Sequence, residues 1–385
     1  MDWPFPPAQY IDTDDDLAAL IEALSNEPLL CFDTESNSLY VYHERVCLIQ
    51  ISTRERDYIV DPLTIEDMQP LGLLLADESI ETVFHAAEYD LMCLKRDYDF
   101  EVRNLFDTMI AARILGYHSI GLNNLLREFL GVELDKRHQR DNWGQRPLEP
   151  DSLLYAQMDT HYLARLRDIL YDMLQSGGYL EEAHETFNEL GDLVPAHDGR
   201  NFDPEGYWKL GIPNRLRNSS MGILSELYRM RDKLAREQNR PPFKILSNRA
   251  LVEIARNKPK SLRDLRRIKG VSPAQTRRYG SKILSAVRRG KSVNLPPRPV
   301  NHPPPSEISD RYVALHTWRK ERAVERGVES DVIVSKQTLW SLAHLAPTSL
   351  DQMQGIQGLG PWRLQTYGEE ILQVIEIHDS QNGHA

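Results

Sequence analysis

The sequence feature that most constrains the fold is an internal repeat in the second half of the chain. A shift of 88 residues, with no gap, aligns one stretch with another. Most matched positions are apolar, so the shared part is a core and the differences lie on the surface. The repeat therefore predicts two copies of one helical domain. Matched pairs include Leu227 and Leu315, Arg231 and Arg319, Leu251 and Leu339, Ala255 and Ala343, Pro259 and Pro347, Gly270 and Gly358, and Tyr279 and Tyr367.

The two copies differ strongly in charge. Residues 211–300 contain 23 Lys and Arg against 5 Asp and Glu, a net charge of +18 in a chain whose total is −11. A block of this kind indicates a surface that binds a polyanion, and the alternative is a solvated helical bundle with no partner. The second copy is acidic, with Glu321, Glu325, Glu329, Asp331, Asp351, Glu369 and Glu370.

Segments rich in proline and glycine separate the predicted domains. We expect a first domain over residues 1–194, a linker over 195–213, the first repeat over 214–292, a proline-rich linker over 293–306 and the second repeat over 307–380.

The first domain shows both strand and helix patterns. The patterns predict strands at 29–33, 46–51, 58–60 and 82–84, the first three as an antiparallel meander, and helices at 10–27, 64–75, 85–94, 122–130 and 151–174, with another ending at 115. Thr13 is the predicted N-cap of the first helix. Interleaved strands and helices indicate a mixed α/β domain.

Four acidic residues and one tyrosine form a candidate site. Asp33 and Glu35 stand one residue apart on a predicted strand, so their side chains point to the same side. Asp90 lies near the start of a predicted helix, and Tyr155 and Asp159 are one helical turn apart. Hard divalent cations prefer oxygen ligands, and two adjacent metal ions need several carboxylates. The set therefore predicts a site for divalent cations.

These motifs resemble those of a known family. Asp33-x-Glu35, His85-x4-Asp90 and Tyr155-x3-Asp159 are similar to the three motifs of the DEDD superfamily of 3′→5′ exonucleases, in the branch with a tyrosine in the last motif. The two repeats resemble HRDC domains, which are helical modules that bind nucleic acid. An exonuclease domain followed by two HRDC domains is the order found in the bacterial ribonuclease D family.

The resemblance implies a fold, an activity and site residues. The fold would be a ribonuclease H-like α/β exonuclease domain, with a mixed sheet flanked by helices, followed by two all-α HRDC bundles. Asp33, Glu35, Asp90 and Asp159 would hold two divalent ions, Mg²⁺ or Mn²⁺, and Tyr155 would orient the attacking water. The expected products are nucleoside 5′-monophosphates.

Other residues near these motifs are secondary candidates. Thr34 lies between the two acids of the first motif and Leu39 follows it, and the resemblance implies that residues here contact the terminal nucleotide, while Gln139, Trp143 and Arg146 lie in a basic loop before Tyr155. In that loop Arg146 would contact phosphate, and Trp143 would either stack on a base or anchor the loop to the core. Two further residues are candidates for support of the site: Asp107, as a supporting acid or an N-cap, and His85, as a neighbour of the site or a core histidine.

Composition restricts the class of protein. A hydrophobic share of 41% and a charged share of 27% are typical of a globular protein, and no apolar run is long enough to span a membrane. The first residues predict neither a signal nor a transit peptide. The three cysteines, Cys31, Cys47 and Cys93, are expected to be buried thiols. We therefore expect a cytoplasmic protein, and a monomer.

The sequence hypothesis is a metal-dependent 3′→5′ exoribonuclease acting on single-stranded 3′ ends of structured RNA, with tRNA precursors as the substrate that the resemblance implies. One alternative is a DNA exonuclease of the repair or proofreading type, because a metal site recognises phosphate and not sugar. The other is a tandem RNA-binding protein with an inactive nuclease domain.

Overall fold

A computed structural model describes residues 5–192, 202–210, 216, 218–293, 295 and 303–382. The chain divides into two compact units. The first unit contains Met1–Glu35, Val46–Pro195 and His302–Ala385, and the second contains Ser36–Arg45 and Ala196–Asn301. The second repeat thus groups with the α/β domain, whereas the first repeat belongs to the other unit.

The first domain is built on a six-stranded mixed sheet, which confirms the predicted fold class. The strands are β1 (Gln9–Ile11), β2 (Leu29–Ser36), β3 (Val46–Ser52), β4 (Asp57–Val60), β5 (Glu81–Phe84) and β6 (Leu105–Asp107), in the spatial order β1-β4-β3-β2-β5-β6. β3 and β4 are antiparallel, and β1–β4, β2–β5 and β5–β6 are parallel pairs. β2, β3 and β4 are neighbours, as a meander requires.

Eight α-helices accompany this sheet among the described residues of the first domain. They are α1 (Asp14–Leu24), α2 (Gln69–Leu75), α3 (Glu88–Tyr98), α4 (Thr108–Ile114), α5 (Leu122–Leu130), α6 (Pro150–His161), α7 (Leu163–Gly177) and α8 (Leu180–Gly191). A short 3₁₀-helix, Lys136–His138, lies in the basic loop before α6. The three cysteines are buried thiols, as predicted.

Two predicted helices are shorter in the structure because strand pairing and capping limit them. The helix predicted over 10–27 begins only at Asp14, since the hydroxyl of Thr13 accepts a hydrogen bond from the amide of Asp16 at 3.1 Å. Residues just before it pair with β4 as β1. The helix predicted over 64–75 is limited to Gln69–Leu75, where Pro70 stands in the first turn.

Two other helix predictions are also corrected. The helix expected over 85–94 begins at Glu88, so Asp90 lies in its first turn. The single helix expected over 151–174 is two helices, because the backbone amide of Tyr162 donates to the carbonyl of Thr160 instead of continuing the helical hydrogen bonds. α6 packs on β3 and β4, whereas α7 packs on α4 and α5. Tyr155 and Asp159 remain together on α6.

Both repeats are helical, as predicted. The first repeat contains α9 (Asn218–Glu237), α10 (Pro242–Ile245), α11 (Asn248–Asn257), α12 (Leu262–Leu265) and α13 (Pro273–Arg289). The second contains α14 (Ser306–Arg326), α15 (Ser330–Ile333), α16 (Lys336–Leu345), a 3₁₀-helix (Leu350–Met353) and α17 (Pro361–Asn382). Each repeat has its own apolar core.

A matched buried arginine shows how closely the repeats agree. Arg231 donates from Nη1 to the carbonyl oxygen of Leu246 at 3.1 Å, and Arg319 donates from Nη1 to that of Val334, also at 3.1 Å. Both donor and acceptor are separated from their equivalents by 88 residues. The repeat therefore preserves internal hydrogen bonds as well as apolar positions.

The predicted linkers fall largely outside the described residues. Within 195–213, residues 202–210 are described and include a 3₁₀-helix, Gly206–Lys209, whose Tyr207 is buried in the core of the first repeat. That part is folded structure rather than a free linker. Within 293–306, residues 294 and 296–302 lie outside the described residues.

Within the first unit, the second repeat packs against α8 through buried ion pairs. Arg326 contacts Glu182 at 2.8 Å, and the Glu182 side chain is 0% exposed. Arg363 contacts Glu185 at 2.8 Å, with side chains that are 6% and 8% exposed. The apolar side chain of Val332 also joins the core of the α/β domain. Across the described chain, no helix is both long and apolar enough to cross a membrane.

Candidate metal centre

Three of the predicted acids converge at the end of β2. Asp33 and Glu35 lie on β2 and Asp159 on α6, and one carboxylate oxygen of each lies within 4.8 Å of the others. The strand brings the first two side chains to one side, as their spacing predicts. The packing of α6 against the sheet supplies the third. Three carboxylates at this separation can share one cation.

Asp90 joins this cluster through Thr34, the residue between the two acids of β2. The amide of Thr34 donates to Asp90 Oδ1 at 3.1 Å and its hydroxyl donates to the same oxygen at 2.5 Å. Thr34 was expected to contact substrate, but both its donors are directed at Asp90. Thr34 therefore fixes Asp90, the fourth acid, beside β2.

The electrostatics of the four acids are those of a cation site. Removal from bulk water raises the pKa of Asp33 well above its usual range, and Asp90, Asp159 and Glu35 add to the shift. Burial likewise raises the pKa of Glu35, with further contributions from Asp159 and Asp90. For Asp90 and Asp159 burial raises the pKa to about 7. Mutual repulsion of this kind is relieved by a divalent cation.

Tyr155 is bonded directly to one of these acids. Its phenol hydrogen-bonds to Asp159 one turn further along α6, which lowers the pKa of Asp159 against the larger effect of burial. Burial first, then Asp159, Glu35 and Asp33, raise the pKa of Tyr155 far above its ordinary value. The phenol is therefore protonated at neutral pH and acts as a hydrogen-bond donor.

Asp107 supports the segment that carries Asp90. It is 0% exposed and accepts from the amides of Met109 and Ile110 at the start of α4, at 2.8 and 3.0 Å. It also accepts from the amides of Ala86 and Ala87, at 3.2 and 2.7 Å, just before α3. The two alternatives for Asp107 are therefore both realised, since one carboxylate caps α4 and holds the approach to α3.

His85 lies beside the same segment and contacts Thr108. Its Nδ1 is 2.9 Å from the hydroxyl of Thr108, and that hydroxyl donates to the carbonyl of Phe84 at 3.1 Å. Because the hydroxyl has one proton, Nδ1 of His85 is the donor in this contact. Burial lowers the pKa of His85 to about 4, so the ring is neutral at pH 7. These contacts are those of a satisfied, structural histidine.

In the basic loop, the structure corrects the expectation for Arg146 and favours one of the two alternatives for Trp143. Trp143 is 1% exposed and packs in a small core, with its ring centroid 6.1 Å from that of Tyr155, so it anchors the loop. Arg146 directs its guanidinium at both carboxylate oxygens of Asp61, at 2.5 and 2.7 Å, and at three backbone carbonyls. Its five donors are thus used within the protein, which leaves none for a phosphate.

The remaining secondary candidates are exposed. Gln139 lies at the end of the 3₁₀-helix of the basic loop. Leu39 is 39% exposed and belongs to Ser36–Arg45, a segment of the second unit. In that unit the amide of Tyr42 donates to Asn239 Oδ1 at 3.1 Å. No described contact assigns either side chain to a ligand.

A small cavity beside Tyr155 includes residues that sequence reasoning did not select. It has a volume of about 110 Å³, and its lining includes Tyr155, Asp159, Met158, Arg137 and His138. His138 is held by Asp141, with Nδ1 2.8 Å from Oδ2. The signal in the sequence was the basic loop itself, but spacing alone could not show which of its side chains face α6.

Comparison with known proteins gives consistent matches along the chain. Residues 8–175 match the family described as 3′-5′ exonuclease, and residues 220–287 and 309–375 each match the HRDC domain. Ribonuclease D of Pseudomonas paraeruginosa is 30% identical over 382 residues, covering 96% of this chain and 98% of that protein. Ribonuclease D of Gluconacetobacter diazotrophicus is 29% identical over 376 residues, covering 96% and 93%.

A solved structure agrees with these sequence matches. The crystal structure of Escherichia coli RNase D, described as an exoribonuclease involved in structured RNA processing, superposes with a TM-score of 0.68 at 26% identity. The match covers 96% of this chain and 99% of that one.

Proposed function

This chain belongs to the ribonuclease D family of 3′→5′ exoribonucleases, and on that premise we propose that it trims the 3′ ends of structured RNA with two divalent ions. The observation that carries the proposal is the convergence of Asp33, Glu35 and Asp159, with Asp90 fixed beside them and Tyr155 bonded to Asp159. Mg²⁺ and Mn²⁺ suit this set, because all of its donors are carboxylate oxygens.

The roles of the residues follow from their positions. Asp33, Glu35, Asp90 and Asp159 would hold the ions. Bound divalent cations supply Lewis acidity, which lowers the pKa of water and stabilises charge on the leaving 3′-oxygen. The protonated phenol of Tyr155 orients the attacking water from the face of α6 that carries Asp159. Attack by water on the terminal phosphodiester releases a nucleoside 5′-monophosphate.

We extend the proposal to tRNA precursors as natural substrates. Support comes from the family resemblance, from the structured-RNA processing attributed to the Escherichia coli relative, and from the net charge of +18 over residues 211–300. The proposal includes a cytoplasmic monomer, since the three cysteines are buried thiols, as a reducing compartment maintains. Light scattering on the purified chain tests the monomer.

The test is digestion of matched RNA and DNA oligonucleotides of one sequence, with Mg²⁺ and with excess EDTA. We expect mononucleotides from the 3′ end of RNA, none in EDTA, and a loss of at least about 10³-fold in Asp33→Asn, since the ions supply several kcal/mol of transition-state stabilisation. Faster release from DNA would establish the DNA exonuclease alternative. Binding without release from either polymer would establish the non-catalytic one.

A further inference from the structure

The two repeats provide an internal comparison, because equal positions in one fold carry different charges. The difference in the number of Lys and Arg residues is greatest over residues 256–269, from the end of α11 through α12 to the following turn. This stretch has seven Lys and Arg against one Asp, whereas its equivalent, residues 344–357, has one Asp and no Lys or Arg. A core shared by both copies does not require these cations.

Six of the seven cations are exposed, and the five of these that follow α11 form what we name the α12 face: Lys260, Arg263, Arg266, Arg267 and Lys269. Within the described part of the chain, none of the five has an ion pair. The nearby carboxylate of Asp264 is used locally, accepting from the amides of Lys260 and Ser261 at 3.2 and 3.1 Å. Five like charges without an ion pair lie within ten residues, offset only by Asp264, whose pKa Arg267 helps to lower; their mutual repulsion would be relieved by a polyanion.

The backbone under this face is fixed. Ser261 and Asp264 form a reciprocal capping box at the start of α12, and Leu265 and Ile268 bury their side chains in the core of the repeat. Gly270 ends the stretch at φ +90°, as its equivalent Gly358 does at +78°. The cations are therefore presented on a rigid element, so ordering them on a ligand costs little backbone entropy.

A second basic region of the same repeat differs from the α12 face because most of its cations have acidic partners. The groove between α9 and α13 is lined by four cations, of which Lys233, Lys282 and Arg289 each have an acidic partner and Arg229 has no ion pair among the described residues. Lys233 and Lys282 lie 3.9 and 3.6 Å from Glu237, and Arg289 lies 2.7 Å from Glu226. Two carboxylates therefore offset half of the four cations, so the groove offers less to an anion.

We propose that the α12 face of the first repeat is the surface that binds the phosphate backbone of the RNA substrate, and that the second repeat has no equivalent surface. The inference rests on the proposed function and specifies where the substrate is held outside the metal centre. Contacts of this type are made to phosphates, so they act without sequence preference and weaken as salt rises.

The test exchanges cations of the face for the residues that the second repeat carries at the same positions: Lys260→Thr, Arg266→Gln and Lys269→Gln in one full-length variant. Thr348, Gln354 and Gln357 show that the fold accepts them. The matched control is Lys233→Gln, Lys282→Gln and Arg289→Gln, with the same change in charge. Binding of a structured RNA with a single-stranded 3′ end is measured in EDTA between 50 and 200 mM salt.

We expect the α12-face variant to raise Kd about 10- to 100-fold and to reduce the slope of log Kd against log salt by roughly 2 to 3, since each lost phosphate contact removes about 0.7 to 0.9. The control should change Kd less than about 3-fold, as its cations are already paired. An unchanged Kd in the α12-face variant, or equal losses in both variants, would overturn the proposal.

A second readout separates this proposal from the proposed function. With Mg²⁺, the wild type and both variants should release mononucleotides from a four-nucleotide RNA at the same rate, which also shows that the variants are folded. If the wild type does not degrade RNA, the proposed function fails. If it does, and only the binding result is negative, the assignment of the α12 face fails alone.

Discussion

Gln275 and Arg363 occupy equivalent positions in the two repeats and donate to equivalent carbonyls. Gln275 Nε2 donates to Ile245 O at 2.9 Å, and Arg363 Nε donates to Ile333 O at 3.0 Å. Arg363 has further donors, and these reach Glu185 at 2.8 Å and Thr186 at 3.0 Å on α8. The longer side chain thus keeps the internal hydrogen bond and adds two to the α/β domain.

The same relationship recurs at a second pair of positions. Gln238 Oε1 accepts from the hydroxyl of Tyr279 at 2.8 Å, and Arg326 Nη1 donates to that of Tyr367 at 3.3 Å while also contacting Glu182. Two glutamines in the first repeat are therefore arginines in the second. The copies have diverged so that the second one packs against α8 and the first carries the unpaired cations.

Breaking one buried pair should destabilise the first unit. Burial raises the pKa of Glu182 even though Arg326 opposes the shift, so desolvation outweighs the attraction. Arg326→Gln leaves this buried carboxylate with only Arg363, 4.0 Å away, and we expect a loss of about 3 to 5 kcal/mol in the free energy of unfolding, measured in urea. Arg326→Gln with Glu182→Gln should recover most of it. Equal losses in the single and double variants would show that the pair is not the cause.

Tyr155→Phe should lower kcat on short RNA by about 10²-fold or more, since the phenol would no longer orient the water while the four acids remain. KM should change little. Single-turnover rates in saturating Mg²⁺ measure this, with Tyr171→Phe as the control, because that ring stacks on Arg167, away from the acids. A rate within twofold of the wild type would remove Tyr155 from the mechanism.

Asp107→Ala should reduce stability by about 2 to 4 kcal/mol, because four backbone amides lose their acceptor. Asp107→Asn keeps one oxygen and should lose less. Thermal unfolding of both variants is the measurement. Since the amides of Ala86 and Ala87 precede α3, the Ala variant should also lose activity at temperatures where it is still folded. Full activity there would show that Asp90 does not depend on this support.

The contribution of His85 to the stability of the protein should fall as the pH decreases from 6.5 to 4, whereas the raised pKa values of Asp33, Glu35, Asp90 and Asp159 act in the opposite direction. The folded-state pKa of His85 is about 4 against an ordinary 6.5, so the unfolded chain takes up a proton first in this window. His85 alone contributes a slope of up to about 1.4 kcal/mol per pH unit, with the contribution fully present above 6.5. Urea unfolding of the wild type and of His85→Gln at several pH values isolates the contribution of His85 to the dependence of stability on pH. Identical slopes would contradict it.

Arg146→Gln should lower stability by about 2 to 4 kcal/mol and leave RNA affinity unchanged, because Asp61 is 1% exposed and would lose its charged partner. This outcome distinguishes a structural arginine from one that binds phosphate. Binding is measured in EDTA at a temperature where the variant is folded. A raised Kd with unchanged stability would restore the expectation drawn from the sequence.

The sequence by itself determined the local and periodic features. The repeat at 88 residues predicted two helical domains, and alternation with helical spacing predicted a mixed α/β domain, because both depend on neighbours along the chain. The spacing of Asp33 and Glu35 on a strand and of Tyr155 and Asp159 on a helix was readable for the same reason. The ends of helices could be predicted less well. Residues 9–11 form β1 rather than the start of a helix because they pair with β4, far along the chain.

Only the tertiary structure decided which side chains are free to act. Trp143 and Arg146 looked like ligands for RNA in the sequence, but one is in a core and the other is bonded to Asp61 and three carbonyls. Thr34 faces Asp90, and the cations of the α12 face differ from those of the α9–α13 groove by their lack of partners. Burial and pairing arise from segments distant in sequence, so no local pattern could contain them.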